Sequence, residues 1–249
     1  MSTHVFTAYD FEKIYSLIDL TSLNEGDTEE NLIPFFKKAE SVFGHVAAVC
    51  IYPKFVRLAK TFFSNTPVKV ATVINFPKGT SSIETVLIEI NQVLQDGAQE
   101  MDVVFPYLRY LEGDKKYARS FVAACRAASS DDILLKVILE TGALQDPALI
   151  SEACWDVFSA GADFVKTSTG KMETGATRSA AEAMLSVIKE KSMHSQKRLG
   201  LKISGGIRDM QQAAQYIELA QIMMGKEWVT KDTFRIGASK LVDEILAFD

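Results

Sequence analysis

Short apolar runs rich in β-branched residues recur along the chain, and the longer segments between them carry apolar residues at helical spacing. A continuous apolar run bounded by turn residues is typical of a strand buried on both faces, as in a parallel sheet. The predicted strands lie at 47–53, 68–77, 100–106, 133–140, 163–170, 199–207 and 234–239.

The segments between these runs have helical spacing and helix-capping residues, as from Ser82 to Gln95 ahead of Gly97, and from Asp209 to Ala220. Alternation of strand and helix predicts parallel βαβ units. The length, 249 residues, is the usual size of one (β/α)₈ TIM barrel. We therefore expect an α/β fold in which residues 1–249 form a single TIM-barrel domain.

The count of eight strands is inferred rather than read directly. The seventh strand is assigned to the weak apolar stretch IELAQIMMG at 217–225. Residues 1–46 precede the first predicted strand and contain helical patterns from Phe11 and from Thr28. We expect 1–46 to form an N-terminal helical extension, which covers the lower end of the barrel or contributes a loop to its mouth, and 47–249 to form the barrel.

Three successive predicted strands each carry a lysine flanked by apolar residues: Lys136, Lys166 and Lys202. Side chains alternate between the two faces of a strand, and one face of each barrel strand points inward. Asp102 occupies the corresponding place in an earlier strand. Lys166 and Lys202 would lie about 4.8 Å apart if their strands pair in this register. An unpaired buried ammonium is costly, so these lysines need carboxylate partners or a chemical use.

Two interpretations follow. For one isolated lysine, a structural ion-pair network with Asp102 and Glu140 is favoured; for the convergent set, chemistry is favoured. A nucleophilic lysine must lower its pKa from about 10.4 toward about 7, which requires about 4 kcal/mol, and a neighbouring cation and desolvation supply this. Pattern alone leaves Lys166 and Lys202 both open. Lys166 lies nearer a polar loop at the expected mouth of the barrel than Lys136 does. Asp102 would take and return protons.

Glycine-rich segments follow three strands, at 167–171 (TSTGK), 204–209 (SGGIRD) and 237–240 (GASK). Any one of them is explained by a tight turn, because glycine supplies positive φ. Together, and with Lys171 and Arg208 among them, they predict an anion site for a phosphate in the late half of a barrel. The chain lacks a Walker sequence and a dinucleotide fingerprint, so nucleotide hydrolysis and dinucleotide binding are set aside.

Composition narrows the function further. The net charge is −5 and basic residues are dispersed, which argues against nucleic acid as a partner. No apolar segment is long enough for a membrane span and no leader pattern is present at the N-terminus, so a membrane partner is not expected. Three cysteines in apolar segments predict reduced thiols and a cytoplasmic location: Cys50, Cys125 and Cys154. The histidines, His4, His45 and His194, are far apart, and we predict no metal.

The sequence resembles the deoxyribose-phosphate aldolase family over nearly its whole length. The residues that carry the resemblance are IDLTSLN at 18–24, AAVCIYP at 47–53, ATVINFP at 71–77, EMDVVFPY at 100–107, LLKVILETG at 134–142, GADFVKTSTGK at 161–171, LKISGGIRD at 201–209 and RIGAS at 235–239. The resemblance implies a class I aldolase on a TIM barrel, a carbon–carbon lyase without cofactor. Its reaction would be reversible cleavage of 2-deoxy-D-ribose 5-phosphate to acetaldehyde and D-glyceraldehyde 3-phosphate, as in deoxyribonucleotide catabolism.

Residue by residue, the resemblance implies that Lys166 forms the Schiff base, that Lys202 lowers its pKa and aids proton transfer, and that Asp102 is the acid/base partner. Asp19, Cys50 and Thr169 would line the substrate cavity. The implied phosphate site comprises Gly170, Lys171, Gly205, Gly206, Gly237 and Ser239.

The chain departs from the family at 202–206, where it reads KISGG and relatives commonly read KPAGG or KASGG, and at Lys240, where relatives carry a hydroxyl. It ends at ILAFD, so we expect turnover without help from a C-terminal tyrosine tail. A phosphate-binding barrel isomerase or synthase and a non-catalytic sugar-phosphate sensor remain alternatives. The sequence allows a homodimer without indicating one.

Overall fold

The computed structural model describes residues 6–194 and 197–248; residues 1–5, which include His4, residues 195–196 and Asp249 lie outside that description. Eight parallel strands close into one barrel. They are β1 (Ile18–Thr21), β2 (Ala48–Ile51), β3 (Lys69–Ile74), β4 (Glu100–Val104), β5 (Leu134–Ile138), β6 (Phe164–Lys166), β7 (Gly200–Ser204) and β8 (Phe234–Ala238). Each strand pairs with its neighbours in sequence, and β8 pairs with β1. The predicted (β/α)₈ fold is confirmed.

Helices surround the barrel; α1 precedes the first strand, and the other helices come after strands in the chain. They are α1 (Ala8–Ser16), α2 (Glu29–Lys37), α3 (Val56–Phe62), α4 (Ile83–Gln95), α5 (Tyr107–Leu111), α6 (Lys115–Ala127), α7 (Thr141–Leu144), α8 (Pro147–Ser159), α9 (Arg178–His194), α10 (Met210–Met224) and α11 (Lys240–Leu246), with 3₁₀ turns at Pro53–Phe55 and Lys226–Trp228. An antiparallel pair, Glu40–Ser41 with Gly44–His45, follows α2. None of the described helices is both long and apolar enough to cross a membrane.

Local sequence explains where several helices begin. The side chain of Thr28 accepts a hydrogen bond from the backbone N–H of Asn31, and Ser82 and Asp209 cap α4 and α10 in the same way. Such caps satisfy N–H groups that have no partner within the helix. The helices predicted after Ser82 and Asp209 are therefore confirmed.

The strand assigned to 217–225 is wrong, because residues 217–224 belong to α10 and Gly225 caps that helix. The buried residues of α10 include Met210, Ala213, Ile217 and Ala220, spaced three or four apart, so the apolar stretch is one face of a helix. The missing strand is β1, inside the segment expected to be only helical. The barrel therefore begins at Ile18 rather than at residue 47, while the two helices predicted from Phe11 and Thr28 do form, as α1 and α2.

Two separate cores stabilise the barrel. The outward faces of the strands pack against the helices in a large apolar core. Inside the barrel, a small apolar cluster comprises Leu23, Ala48, Cys50, Ala71 and Val73. All three cysteines are buried free thiols.

Phe164 and Gly200 are paired across β6 and β7, two residues before the pair formed by Lys166 and Lys202 and on the same face of the strands. A Cβ atom added at Gly200 would lie 2.3 Å from Cζ of the Phe164 ring. The absence of a side chain at residue 200 therefore makes room for the aromatic ring directly below the two lysines.

Candidate active site

The predicted catalytic residues meet inside the barrel at one carboxylate oxygen. Oδ2 of Asp102 accepts hydrogen bonds from Nζ of Lys166 at 2.8 Å and from Nζ of Lys202 at 2.7 Å. Lys166 and Lys202 are partners in the parallel register of β6 and β7, as the spacing of their strands predicted. Strand alternation therefore placed all three side chains on the inner face correctly.

The contacts continue into a closed cycle of alternating charge, which we call the charge ring. Its six members, in order, are Lys202, Asp19, Arg235, Glu100, Lys136 and Asp102, which contacts Lys202 again. The successive N–O distances are 2.5 Å, 2.5 Å, 3.0 Å, 2.6 Å, 2.8 Å and 2.7 Å. A weaker contact crosses the ring, since Nζ of Lys136 lies 3.7 Å from Oδ2 of Asp19.

The charge ring balances itself, with three cations and three anions, and Lys166 is attached to it as a seventh charged group through Asp102. The seven groups together therefore contain four basic side chains and three acidic ones. Loss of the proton from one of the four basic side chains would make the number of positive charges equal to the number of negative charges in this group of seven. Glu140, a carboxylate that follows β5, interacts electrostatically with Lys166 but accepts its hydrogen bonds from Thr169.

Burial raises the pKa of Asp102, but the ammonium groups of Lys136, Lys166 and Lys202 outweigh burial and hold that pKa well below the usual range. The pKa of Asp19 is lowered in the same way, against the effect of burial, by Lys202 and Arg235. For Lys202, burial opposes the charged form, yet Asp102 and Asp19 raise its pKa above the ordinary lysine value. These members of the ring are therefore held in their charged forms.

Of the three interior lysines, Lys166 is the one that reaches the mouth of the barrel. It is 2% exposed, whereas Lys136 and Lys202 are 0% exposed. A cavity of about 250 Å³ opens above it, and Lys166 lines this cavity together with the ends of the late strands. A small molecule in this cavity can therefore reach Lys166, whereas Lys136 and Lys202 do not line the cavity.

The predicted phosphate loops form the walls of the same cavity. All six residues assigned to that site line it: Gly170, Lys171, Gly205, Gly206, Gly237 and Ser239. Gly170 and Gly206 adopt positive φ, and a Cβ atom added at either would meet nothing within 4 Å. Both glycines line the cavity and have open space where a side chain would begin.

Two other glycines allow close contacts within the site. A Cβ atom added at Gly237 would lie 3.1 Å from Cε of Lys202, so this position makes room for the lysine stem. At Gly205, φ is +85° and an added Cβ atom would lie 2.9 Å from Cα of Gly175. The packing of the protein therefore requires glycine at these two positions, independently of what the loops bind.

The side chains predicted to line the substrate cavity lie in different places. Thr169 does line the cavity, and its hydroxyl donates to Oε2 of Glu140. Asp19 and Cys50 are fully buried in the lumen and are not among the cavity residues. The thiol of Cys50 donates to Oδ2 of Asp102 across 3.8 Å, and burial raises the pKa of the thiol. Cys50 is therefore a neutral neighbour of the charged groups.

Sequence reasoning missed several members of the site. Glu100 and Arg235 complete the charge ring, although the alternation that selected Asp102 also places Glu100 two residues earlier on the same face. The structural ion-pair interpretation named Glu140 as a partner for the lysines, whereas Glu100 and Asp19 take that place. Further cavity residues include Thr21, Asn24, Ser204, Arg208 and Lys240.

Lys171 is already engaged by the protein. Its ammonium donates to the backbone carbonyl of Leu23 at 2.6 Å, which ties the loop after β6 to the loop after β1. Arg208 and Lys240 add positive charge to the same cavity wall. The mouth is therefore cationic, as an anion site requires.

A closed parallel barrel whose mouth combines a buried lysine with cationic glycine-rich loops is a TIM barrel with a candidate site for an anionic ligand. Residues 13–239 match the family model described as DeoC/LacD family aldolase. The chain belongs to this family.

Solved structures agree with the family assignment. A protein of Toxoplasma gondii ME49, provisionally named a deoxyribose-phosphate aldolase, is 25% identical, with a TM-score of 0.88 over 96% of this chain and 94% of that one. A Coccidioides immitis protein with the same provisional name is 32% identical, with a TM-score of 0.78 over 94% and 86%. The deoxyribose phosphate aldolase of Aeropyrum pernix, described as a unique tetramer, is 29% identical, with a TM-score of 0.76 over 96% and 92%.

Proposed function

We propose that the protein is a deoxyribose-phosphate aldolase that cleaves 2-deoxy-D-ribose 5-phosphate through a Schiff base on Lys166. The observation that carries this proposal is the position of Lys166, the basic group in excess of a balanced charge ring and the one interior lysine that lines the cavity. A nucleophilic lysine needs a neutral amine, and a neighbouring cation with partial desolvation favours that form.

The reaction begins when the neutral amine of Lys166 attacks C1 of the open-chain aldehyde, and loss of water gives a protonated imine. The C3 hydroxyl then loses its proton and the C2–C3 bond breaks. The electron pair of that bond flows into the imine to give an enamine, while C3 becomes the aldehyde carbon of D-glyceraldehyde 3-phosphate. Protonation of the enamine at C2 and hydrolysis of the imine release acetaldehyde and restore Lys166.

Lys202 and Asp102 support this sequence in different ways. Asp102, whose pKa is held low, orients the nitrogens of Lys166 and Lys202 through a single oxygen. Lys202 supplies the second positive charge beside Lys166. Proton removal from the C3 hydroxyl passes through water next to Asp102 and Lys202, because a carboxylate in contact with three ammonium groups is a weak base by itself.

The phosphate of the substrate lies against the glycine turns of the mouth, with positive charge from Lys171, Arg208 and Lys240 nearby. Backbone N–H groups in such turns bind phosphate oxygens. Because this contact is remote from the reacting bond, it serves to place C1 next to Lys166. Unphosphorylated 2-deoxyribose should therefore be cleaved with a much higher KM.

Reductive trapping tests the proposal directly. Incubation with 2-deoxyribose 5-phosphate and borohydride should leave a reduced adduct on Lys166, identified by peptide mass spectrometry. The variant Lys166→Arg keeps the charge but cannot form an imine, and we expect loss of at least about 10³-fold in turnover. An adduct confined to Lys136 or Lys202, or retained turnover in Lys166→Arg, would contradict the assignment.

A further inference from the structure

The lower end of the barrel contains two buried charged residues that the proposed reaction does not use. Glu100 and Arg235 are each 3% exposed and line a second cavity of about 390 Å³, at the amino-terminal ends of the strands and therefore opposite the mouth. They contact each other at 3.0 Å. A buried charged pair at the lower end of the barrel needs a reason, because desolvating two ions is costly.

Each member of this pair contacts a different part of the charged interior. Arg235 donates to Oδ1 of Asp19, whose other oxygen lies 2.5 Å from Nζ of Lys202. Glu100 contacts Nζ of Lys136, which in turn donates to Oδ1 of Asp102. The pair therefore links Asp19, which contacts Lys202, to Lys136, which contacts Asp102.

We propose that Glu100 and Arg235 are positioning residues for the Schiff-base lysine: they close the charge ring from below, hold Lys202 and Asp102 in place, and set the charge that the ring presents to Lys166 through Asp102. This inference rests on the proposed function for its catalytic consequence, but its electrostatic content concerns Lys166 alone. Removing a negative charge from the ring makes the interior more positive, which favours the neutral amine of Lys166. Removing a positive charge has the opposite effect.

Titratable and charged groups face Lys166 from several strands. They are Asp19 on β1, Cys50 on β2, Glu100 and Asp102 on β4, Lys136 on β5, Glu140 after β5, Lys202 on β7 and Arg235 on β8, together with Lys171, Arg208 and Lys240, which line the same cavity as Lys166. Glu100 and Arg235 are the ring members without direct contact to Lys166, Lys202 or the Asp102 carboxylate. Their substitution therefore changes the charge of the ring without removing a reacting group.

The test measures the charge state of Lys166 without relying on catalysis. Competitive acetylation with acetic anhydride over a range of pH, read by peptide mass spectrometry, gives the pH at which half of the Lys166 amine is reactive. For Glu100→Gln this midpoint should move to lower pH, and for Arg235→Met it should move to higher pH, each by about one pH unit. Lys69 lines the same lower cavity but is exposed and lies outside the ring, so Lys69→Met is the matched control and should leave the midpoint unchanged.

An electrostatic role predicts that the Lys166 midpoint shifts in opposite directions in the two variants. A merely structural role would impair both variants in the same sense. Should Arg235→Met fail to fold, Arg235→Lys keeps the charge but loses the paired contact, and we expect about a tenfold lower kcat with an unchanged KM and midpoint. Unchanged midpoints, or shifts in the same direction, would overturn the inference even if borohydride traps the wild-type enzyme. If the two midpoints shift in opposite directions but borohydride traps no adduct, the inference about the charge ring stands and the proposed function is refuted.

Discussion

The two sides of the barrel lumen are chemically different. One side, contributed by β1 and β4 to β8, contains the charge ring and Lys166. The other side, contributed by β2 and β3, presents Ala48, Cys50, Ala71 and Val73. The charged side contains the proposed nucleophile, while the apolar side forms an uncharged wall of the same lumen. Because charges interact more strongly where water is excluded, the apolar side contributes to the electrostatics without carrying charge.

The largest effect should come from removing one cation of the charge ring. Lys136→Met leaves Glu100 and Asp102 short of an ammonium group in a buried site, and we expect the free energy of unfolding to fall by about 3–5 kcal/mol. The matched change on the apolar side, Val73→Ala, should cost about 1–3 kcal/mol through lost packing. Urea unfolding monitored by circular dichroism measures both. Equal losses would mean that the charged side contributes no more than ordinary packing.

Acid should destabilise the protein mainly through the charged side. The pKa values of Asp19 and Asp102 are lower in the folded protein than the value of about 3.9 in an unfolded chain. Their contribution is therefore fully present above that value and is lost as the pH falls below it. With both groups titrating, the free energy of unfolding should fall by up to about 2.7 kcal/mol per pH unit below about pH 4.

The control for the acid effect is Asp19→Asn, which removes one of the two carboxylates and should reduce the slope by about half. Stability is measured by urea unfolding at a series of pH values. A slope that does not change in this variant would place the acid sensitivity outside the charge ring.

The smallest effect should come from Cys50, the contact between the two sides. Because burial raises its pKa, the thiol is neutral and contributes only a weak hydrogen bond to Asp102. Cys50→Ala should change the free energy of unfolding by about 1 kcal/mol and kcat by less than about threefold. A loss of activity comparable to that of Lys166→Arg would show that Cys50 takes part in the chemistry.

Much of this arrangement was accessible from the sequence, because alternation along a strand is a local property. The rule placed Lys136, Lys166, Lys202 and Asp102 in the lumen and predicted the pairing of Lys166 with Lys202. The glycine segments at the ends of late strands likewise predicted the walls of the cavity.

The remainder required knowledge of which strands meet. β1 has four residues and includes a buried aspartate, so it lacks the long apolar run that marks the other strands. Arg235 was overlooked because its partners, Asp19 and Glu100, are more than a hundred residues away in sequence and become neighbours when β8 pairs with β1 and the barrel closes. Barrel closure is a tertiary event that local periodicity does not encode.

The fit between Phe164 and Gly200 makes substitutions at these two positions depend on each other. A methyl group at residue 200 would collide with the aromatic ring, and a smaller side chain at residue 164 alone would leave a void beneath the lysines. The two substitutions should therefore be strongly epistatic, each harmful alone and much less so together. Laboratory evolution of this barrel is expected to change both residues in one step or neither.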